Sequence, residues 1–176
     1  MHEPLGLESK TVRVVPYDDR WPDLFDAEST HILDAVAAAR LPPLAIEHVG
    51  STAVMGLAAK PILDIAAGRP PDILPTTYIP ILESLGYIYR GDGGLPGREF
   101  FRRGMLRSHH IHLVELGGTH WSRYLRFRDA LRADPEIRDA YADLKRALAG
   151  QFPRDREGYI AGKADFVERV LRVSRP

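Results

Sequence analysis

"IEHVGSTAVMGLAAKPILDI", residues 46–65, sets two apolar runs around a stretch of small residues that opens on Gly50-Ser51-Thr52. Residues 44–49 and 62–66 read as strands, since each is apolar and bounded by proline or glycine. A glycine directly after a strand permits a tight turn, and Ser51 or Thr52 can cap a following helical turn while backbone N–H groups face an anion. An ordinary turn between strands has the same composition, so these three residues alone assign no function. Asp64 adds the second signal. A carboxylate among Ile62, Leu63 and Ile65 is costly to bury unless it is paired, holds a metal or faces a cleft. A structural carboxylate tied to backbone or to an arginine is the competing reading.

Outward from this stretch, residues 1–10 carry no period and read as a loose arm, followed by a short strand over 11–15 that ends at Pro16. Trp21, Leu24, Phe25, Ile32, Leu33 and Val36 recur at helical spacing and predict a helix over 21–40. A second helix is expected over 73–85, with Pro80 as its weak point. Strands follow over 87–90, 98–104 and 109–115. GDGGLPG (91–97) has the composition of a mobile connection or hairpin tip. Alternation sends Arg98, Phe100 and Arg102 to one sheet face and Glu99, Phe101 and Arg103 to the other. Three helices are expected over 121–132, 135–149 and 155–172, with Asp134 as an N-cap before Pro135. The order predicts an α+β fold, one mixed sheet of about five or six strands flanked by helices, with a helical C-terminal portion.

Composition bounds the function. The 176 residues fall in the one-domain range, and 44% apolar with 27% charged residues describes a soluble globular chain with no membrane span. The chain has no cysteine, so thiolate chemistry and disulfides are excluded. The first fifteen residues lack a secretory signal pattern, and a cytoplasmic location is expected. Basic and acidic residues balance at 24 each, which argues against bulk nucleic-acid binding. Arginine far outnumbers lysine, and a local basic cleft would suit a small phosphorylated ligand.

His110 and His112, two apart on a strand, share a face that can serve a metal or a phosphate. A three-imidazole site with His48 is a further, less favoured arrangement, and it would prefer Zn²⁺, Mn²⁺ or Ni²⁺. Lys60 enters the Asp64 strand within reach of Asp64 or a phosphate. Arg102, Arg103, Arg123 and Arg126 are candidate phosphate clamps, each with surface ion pairing as the plainer reading.

HVGSTAVMGLAAKPILDI closely resembles the hallmark of the GrpB (UPF0157) family, whose members are similar to the nucleotidyltransferase superfamily. The resemblance runs from VRVVPYDDRWPDLF through HIHLVE and RFRDALRADPEIRDAYADLKRALA to YIAGKADFVERVL. It implies a single domain over 1–176, with a sheet-rich, nucleotidyltransferase-like core at 11–116 and a helical tail at 117–176 packed on it. The Gly50-Ser51 turn would hold the phosphates of a nucleotide, and Thr52, Lys60, Arg103 and His48 are the further ligand- or phosphate-binding candidates read from the residues. Asp64 matches the first acid of the superfamily's metal site. Where the second acid stands, this chain has Ala66; Glu115 is the one acid available for the third position, with His110 and His112 as substitutes. The implied cofactor is Mg²⁺ or Mn²⁺ and the implied reaction nucleotidyl transfer. The alternative is a catalytically degenerate accessory module binding a partner protein or a coenzyme A precursor, since the same domain type occurs fused to dephospho-CoA kinase. Tyr141, Lys145, Tyr159 and Lys163 resemble recurrent family positions, the aromatics reading first as core or rim residues.

Overall fold

The computed structural model describes residues 4–173. Five strands form one mixed sheet: β1 (Ala45–Val49), β2 (Leu63–Arg69), β3 (Tyr87–Tyr89), β4 (Glu99–Arg103) and β5 (His109–Glu115). Their order is β1-β2-β5-β4-β3, and only the central β2–β5 pair is parallel among the described strands. Helices α1 (Trp21–Ala38) and α2 (Ile79–Ser84) lie on one face. Helix α3 (Thr119–Ala133) lies on the other, with α4 (Pro135–Gln151) and α5 (Arg156–Val173) against it.

Strand alternation divides the chemistry. Ile65, Ala67, Phe101, Ile111 and Leu113 enter the main core with Ile32 and Val36 of α1 and Leu82 of α2. Each large side chain buried there contributes about 1.5–3 kcal/mol. Asp64, Ala66, His110 and His112 therefore point to the opposite face, paired Asp64 with His110 and Ala66 with His112. On that face Gly68 lets α3 approach, because a β-carbon there would stand 2.8 Å from the Trp121 ring.

The α+β class and five of the six expected strands are present. The sixth is not a strand: residues 11–15 make one bridge, Val15 to Ala59, and Val12 N–H donates to Pro153 O at 2.9 Å. The adjoining arm is held against the body. Leu7 is buried, and the Arg107 guanidinium donates to Glu8 O and Thr11 O. The expected helix over 73–85 is reduced to a turn at Pro75–Thr77 and the short α2, with Pro80 in the first turn, where its missing N–H is harmless. In α1, Leu24 and Leu33 sit at the edges of the stripe and are exposed, while Glu28 is buried. Asp134 caps α4 as expected, accepting from Glu136 N–H at 2.9 Å and Ile137 N–H at 3.2 Å. No helix among the described residues is long and apolar enough to cross a membrane.

Candidate functional site

The turn after β1 is shaped by the carboxylate beside it. Val49 pairs with Asp64 across the ladder, and Gly50 follows in a left-handed conformation, φ +71°. A β-carbon on Gly50 would lie 2.7 Å from Asp64 Oδ2, so the position needs glycine on both counts. Ser51–Ala53 then form a single 3₁₀ turn without the expected side-chain cap. The Thr52 hydroxyl is engaged elsewhere: it accepts from His48 Nε2 at 3.0 Å and donates to Ile62 O at 3.4 Å.

Asp64 Oδ1 receives His110 Nδ1 at 3.1 Å and His112 Nε2 at 3.2 Å. Burial alone would raise the Asp64 pKa, but the two imidazole hydrogen bonds outweigh it and hold the carboxyl well below its ordinary range. Arg98 Nη1 lies 3.3 Å from His112 Nδ1. A guanidinium only donates, so Nδ1 of His112 is the acceptor and Nε2–H points at Asp64. The same arginine donates to Asp92 O and Gly93 O, which ties the 91–97 loop to the sheet edge. Burial lowers the pKa of His110. With its Nδ1–H on Asp64, its Nε2 keeps a lone pair, the arrangement in which a carboxylate orients an imidazole to accept a proton.

These groups form the floor of a cavity of about 240 Å³ between the sheet and helices α4 and α5. Its far wall carries Tyr141, Lys145, Tyr159 and Lys163, and Lys60 completes the rim. Lys60 and Lys163 stand over the Tyr159 ring at 5.1 and 4.5 Å, and Lys145 over the Tyr141 ring at 4.7 Å. Lys145 is 2% exposed and donates to Ala58 O. Burial pushes Lys145 down to about 6, Lys60 to about 7 and Lys163 to about 8; Lys163 adds to the first two shifts, and Asp64 opposes those of Lys60 and Lys163. Three of the chain's four lysines thus face one cavity that has a single carboxylate among the described residues lining it.

Gly50, Ser51, Thr52, Lys60, Asp64, His110 and His112 are brought together at this cavity; His48, Glu115 and the candidate clamps Arg102, Arg103, Arg123 and Arg126 are not among its lining residues. His48 lies on the opposite sheet face, stacked on Phe25 with ring centroids 4.5 Å apart, and burial lowers it to about 4. A site joining it to His110 and His112 is ruled out by that register. Arg103 also points to the α1 face, where it pairs with Glu28, itself hydrogen-bonded to Tyr87. Glu115 pairs with Arg69 in the ladder, five residues along from the Asp64–His110 pair, or about 16 Å at strand rise. It is half exposed, with the Arg69 guanidinium 3.9 Å away. Arg123 and Arg126 are spent on α5, at Glu168 and Leu171 O. Residue reading missed Arg98, and it reached Lys145 and Lys163 only through the family resemblance; the scarcity of lysine in an arginine-rich chain was the available signal.

The donor set fits a two-Mg²⁺ centre poorly. Hard Mg²⁺ takes oxygen ligands in octahedral array, whereas Ala66 supplies no side-chain oxygen, Glu115 is remote, and His110 and His112 flank the one carboxylate. Among the described residues no three His, Cys, Asp or Glu side chains are gathered to hold a metal ion.

Comparison with known proteins places the chain. The family described as "GrpB protein" matches residues 11–173. A UPF0157 protein of Pseudomonas aeruginosa is 45% identical over 171 residues, covering 94% of this chain and 69% of that protein. The glutamate-rich protein GrpB of Alkalihalophilus pseudofirmus is 31% identical, covering 95% of this chain and 98% of its own. The UPF0157 protein YqkA of Bacillus subtilis is 35% identical, and the chain spans 46% of its length. The crystal structure of conserved protein GrpB from Enterococcus faecalis superposes with a TM-score of 0.82 at 31% identity, covering 92% of this chain and 96% of that one. The chain belongs to the GrpB family.

Proposed function

We propose that the Asp64 cavity binds a phosphorylated small molecule, a nucleotide by class, with its phosphate among Lys60, Lys145 and Lys163 beside the Gly50-Ser51 turn. One observation carries this reading: three lysines, all depressed in pKa by burial, surround a cavity that offers them one carboxylate among the described residues. A phosphate oxyanion supplies the charge that restores their ammonium forms. Lysine takes over the neutralising role that metal ions have in the superfamily the sequence resembles. Coenzyme A precursors, being phosphorylated, fall within this ligand class.

Nucleotidyl transfer is the second reading, favoured by the Asp64–His110 pair. In it, His110 Nε2 takes the proton of an acceptor hydroxyl, the oxygen bonds to the nucleotide's α-phosphorus, and pyrophosphate leaves. The lysines stabilise the charge that develops. Thermal shift with nucleoside mono- and triphosphates, with and without Mn²⁺, tests binding. Stabilisation by nucleotide without metal, lost in Lys163→Ala, is expected; no stabilisation by any of them removes the proposal. Incubation with α-labelled nucleoside triphosphates separates the two readings, since label on any acceptor establishes transfer.

A further inference from the structure

Beyond Phe100 and His110 a second cavity of about 530 Å³ opens, and it shares those two residues and Arg156 with the first. Five places along the chain supply its basic lining: Lys10 from the arm, Arg90 after β3, Arg102 on β4, Arg107 before β5, and Arg154 and Arg156 ahead of and at the start of α5. Against these six stand two acids among the described residues, Asp155 and Glu157. Asp155 is already committed, accepting from the backbone N–H groups of Glu157 and Gly158 at 3.0 Å each.

The wall is built rather than incidental. Arg107 is 4% exposed, and its guanidinium clasps the carbonyls of Glu8 and Thr11 on either side of Ser9-Lys10. That turn is closed by Thr11 N–H donating to Glu8 O. Lys10 adopts φ +67° within it, a conformation non-glycine residues seldom take. A buried cation thus holds the fourth lysine of the chain at the cavity. The Nε atoms of Arg102 and Arg107 are buried without a hydrogen-bond partner among the described residues, and such donors are costly to leave unmet.

We propose that this cavity is a second anion subsite, and that the ligand carries a second phosphate set apart from the one held by the lysines. This rests on the lysine cavity binding the first phosphate. His110 and Phe100 form the divide, so the ligand passes over the Asp64–His110 pair with an anionic group on each side. Guanidinium groups are suited to grip a phosphate monoester by paired hydrogen bonds. A nucleoside 3′,5′-bisphosphate is the simplest compound with that charge distribution.

The test is isothermal titration with adenosine 3′,5′-bisphosphate and adenosine 5′-monophosphate, at fixed ionic strength. Wild-type protein should bind the bisphosphate at least tenfold more tightly, which is about 1.4 kcal/mol. Arg90→Ala/Arg154→Ala alters two exposed side chains, and Arg102→Ala one on the cavity wall; each should abolish that preference and leave monophosphate affinity unchanged. Equal affinity for the two compounds in wild type, or an undiminished preference in both variants, overturns the subsite. Lys163→Ala distinguishes the premise. If it leaves both affinities unchanged while Arg102→Ala weakens the bisphosphate, the lysine cavity is not the first site and the two-site ligand fails with it, whereas the basic cavity stands.

Discussion

Binding of a nucleoside monophosphate should draw protons from solution, with Lys145 taking the largest share. At pH 7.5 a lysine brought down to about 6 carries charge in only about 3% of molecules. Lys60, at about 7, is charged in about a quarter, and Lys163, at about 8, in about three quarters. A phosphate among them favours the charged form of each, so complete protonation takes up about two protons per ligand, about one of them on Lys145. Every unit by which the ligand raises a lysine pKa represents about 1.4 kcal/mol of coupling. Titrations of adenosine 5′-monophosphate at pH 7.5, in phosphate-free buffers of different ionisation enthalpy, give the proton number as the slope of observed heat against buffer heat. Lys145→Met keeps an unbranched stem of similar length and removes the titrating group, and its slope should fall by about one proton. A wild-type slope of zero, or an unchanged slope in Lys145→Met, refutes the reasoning.

Four other expectations follow from the same geometry. Asp64→Asn should bind monophosphate at least as tightly as wild type by calorimetry in metal-free buffer, because it removes a negative charge facing the ligand; a tenfold loss that appears only when Mn²⁺ is present would point instead to a metal on Asp64. Gly50→Ala should lower unfolding free energy by about 1–3 kcal/mol in denaturant melts, since it combines φ +71° with a β-carbon 2.7 Å from Asp64 Oδ2. Stability of the ligand-free protein should rise with pH between about 7 and 10. Lys145 has a folded pKa of about 6 against 10.5 unfolded, so the unfolded chain binds more protons across that window, worth up to about 1.4 kcal/mol per pH unit. The His48 imidazole, about 4 when folded against 6.5 unfolded, should make stability fall as pH drops below 6.5, by up to about 3 kcal/mol; His48→Gln should flatten that limb of a melting-temperature profile.

Local signals carried most of the architecture. The strand over 109–115 and the Asp134 cap were legible because alternation and capping are properties of a few neighbouring residues. Asp64 was legible for the same reason, as a charge in an apolar run. His48, Arg103 and Glu115 were misplaced because their positions depend on register between strands, which a single strand does not encode. His48 pairs with Ile65 and so shares the core face, one residue out of step with Asp64. Glu115 shares a strand with His110 but pairs with Arg69. The arm and the residues over 11–15 read as loose chain and strand because their partners, Arg107 and Pro153, lie roughly a hundred residues or more away. The helix expected over 73–85 failed where propensity had already warned, at its prolines.

The parallel pairing of β2 with β5 makes the apolar core the guardian of the polar site. Because side chains alternate, sliding β5 by one residue would turn Ile111 and Leu113 out into the cavity and drive His110 and His112 into the core. A one-residue slip exchanges the two faces, so the imidazoles stay on Asp64 only while this register holds. A substitution such as Leu113→Ser, which touches neither Asp64 nor the lysines, is therefore expected to damage the site through alignment rather than chemistry.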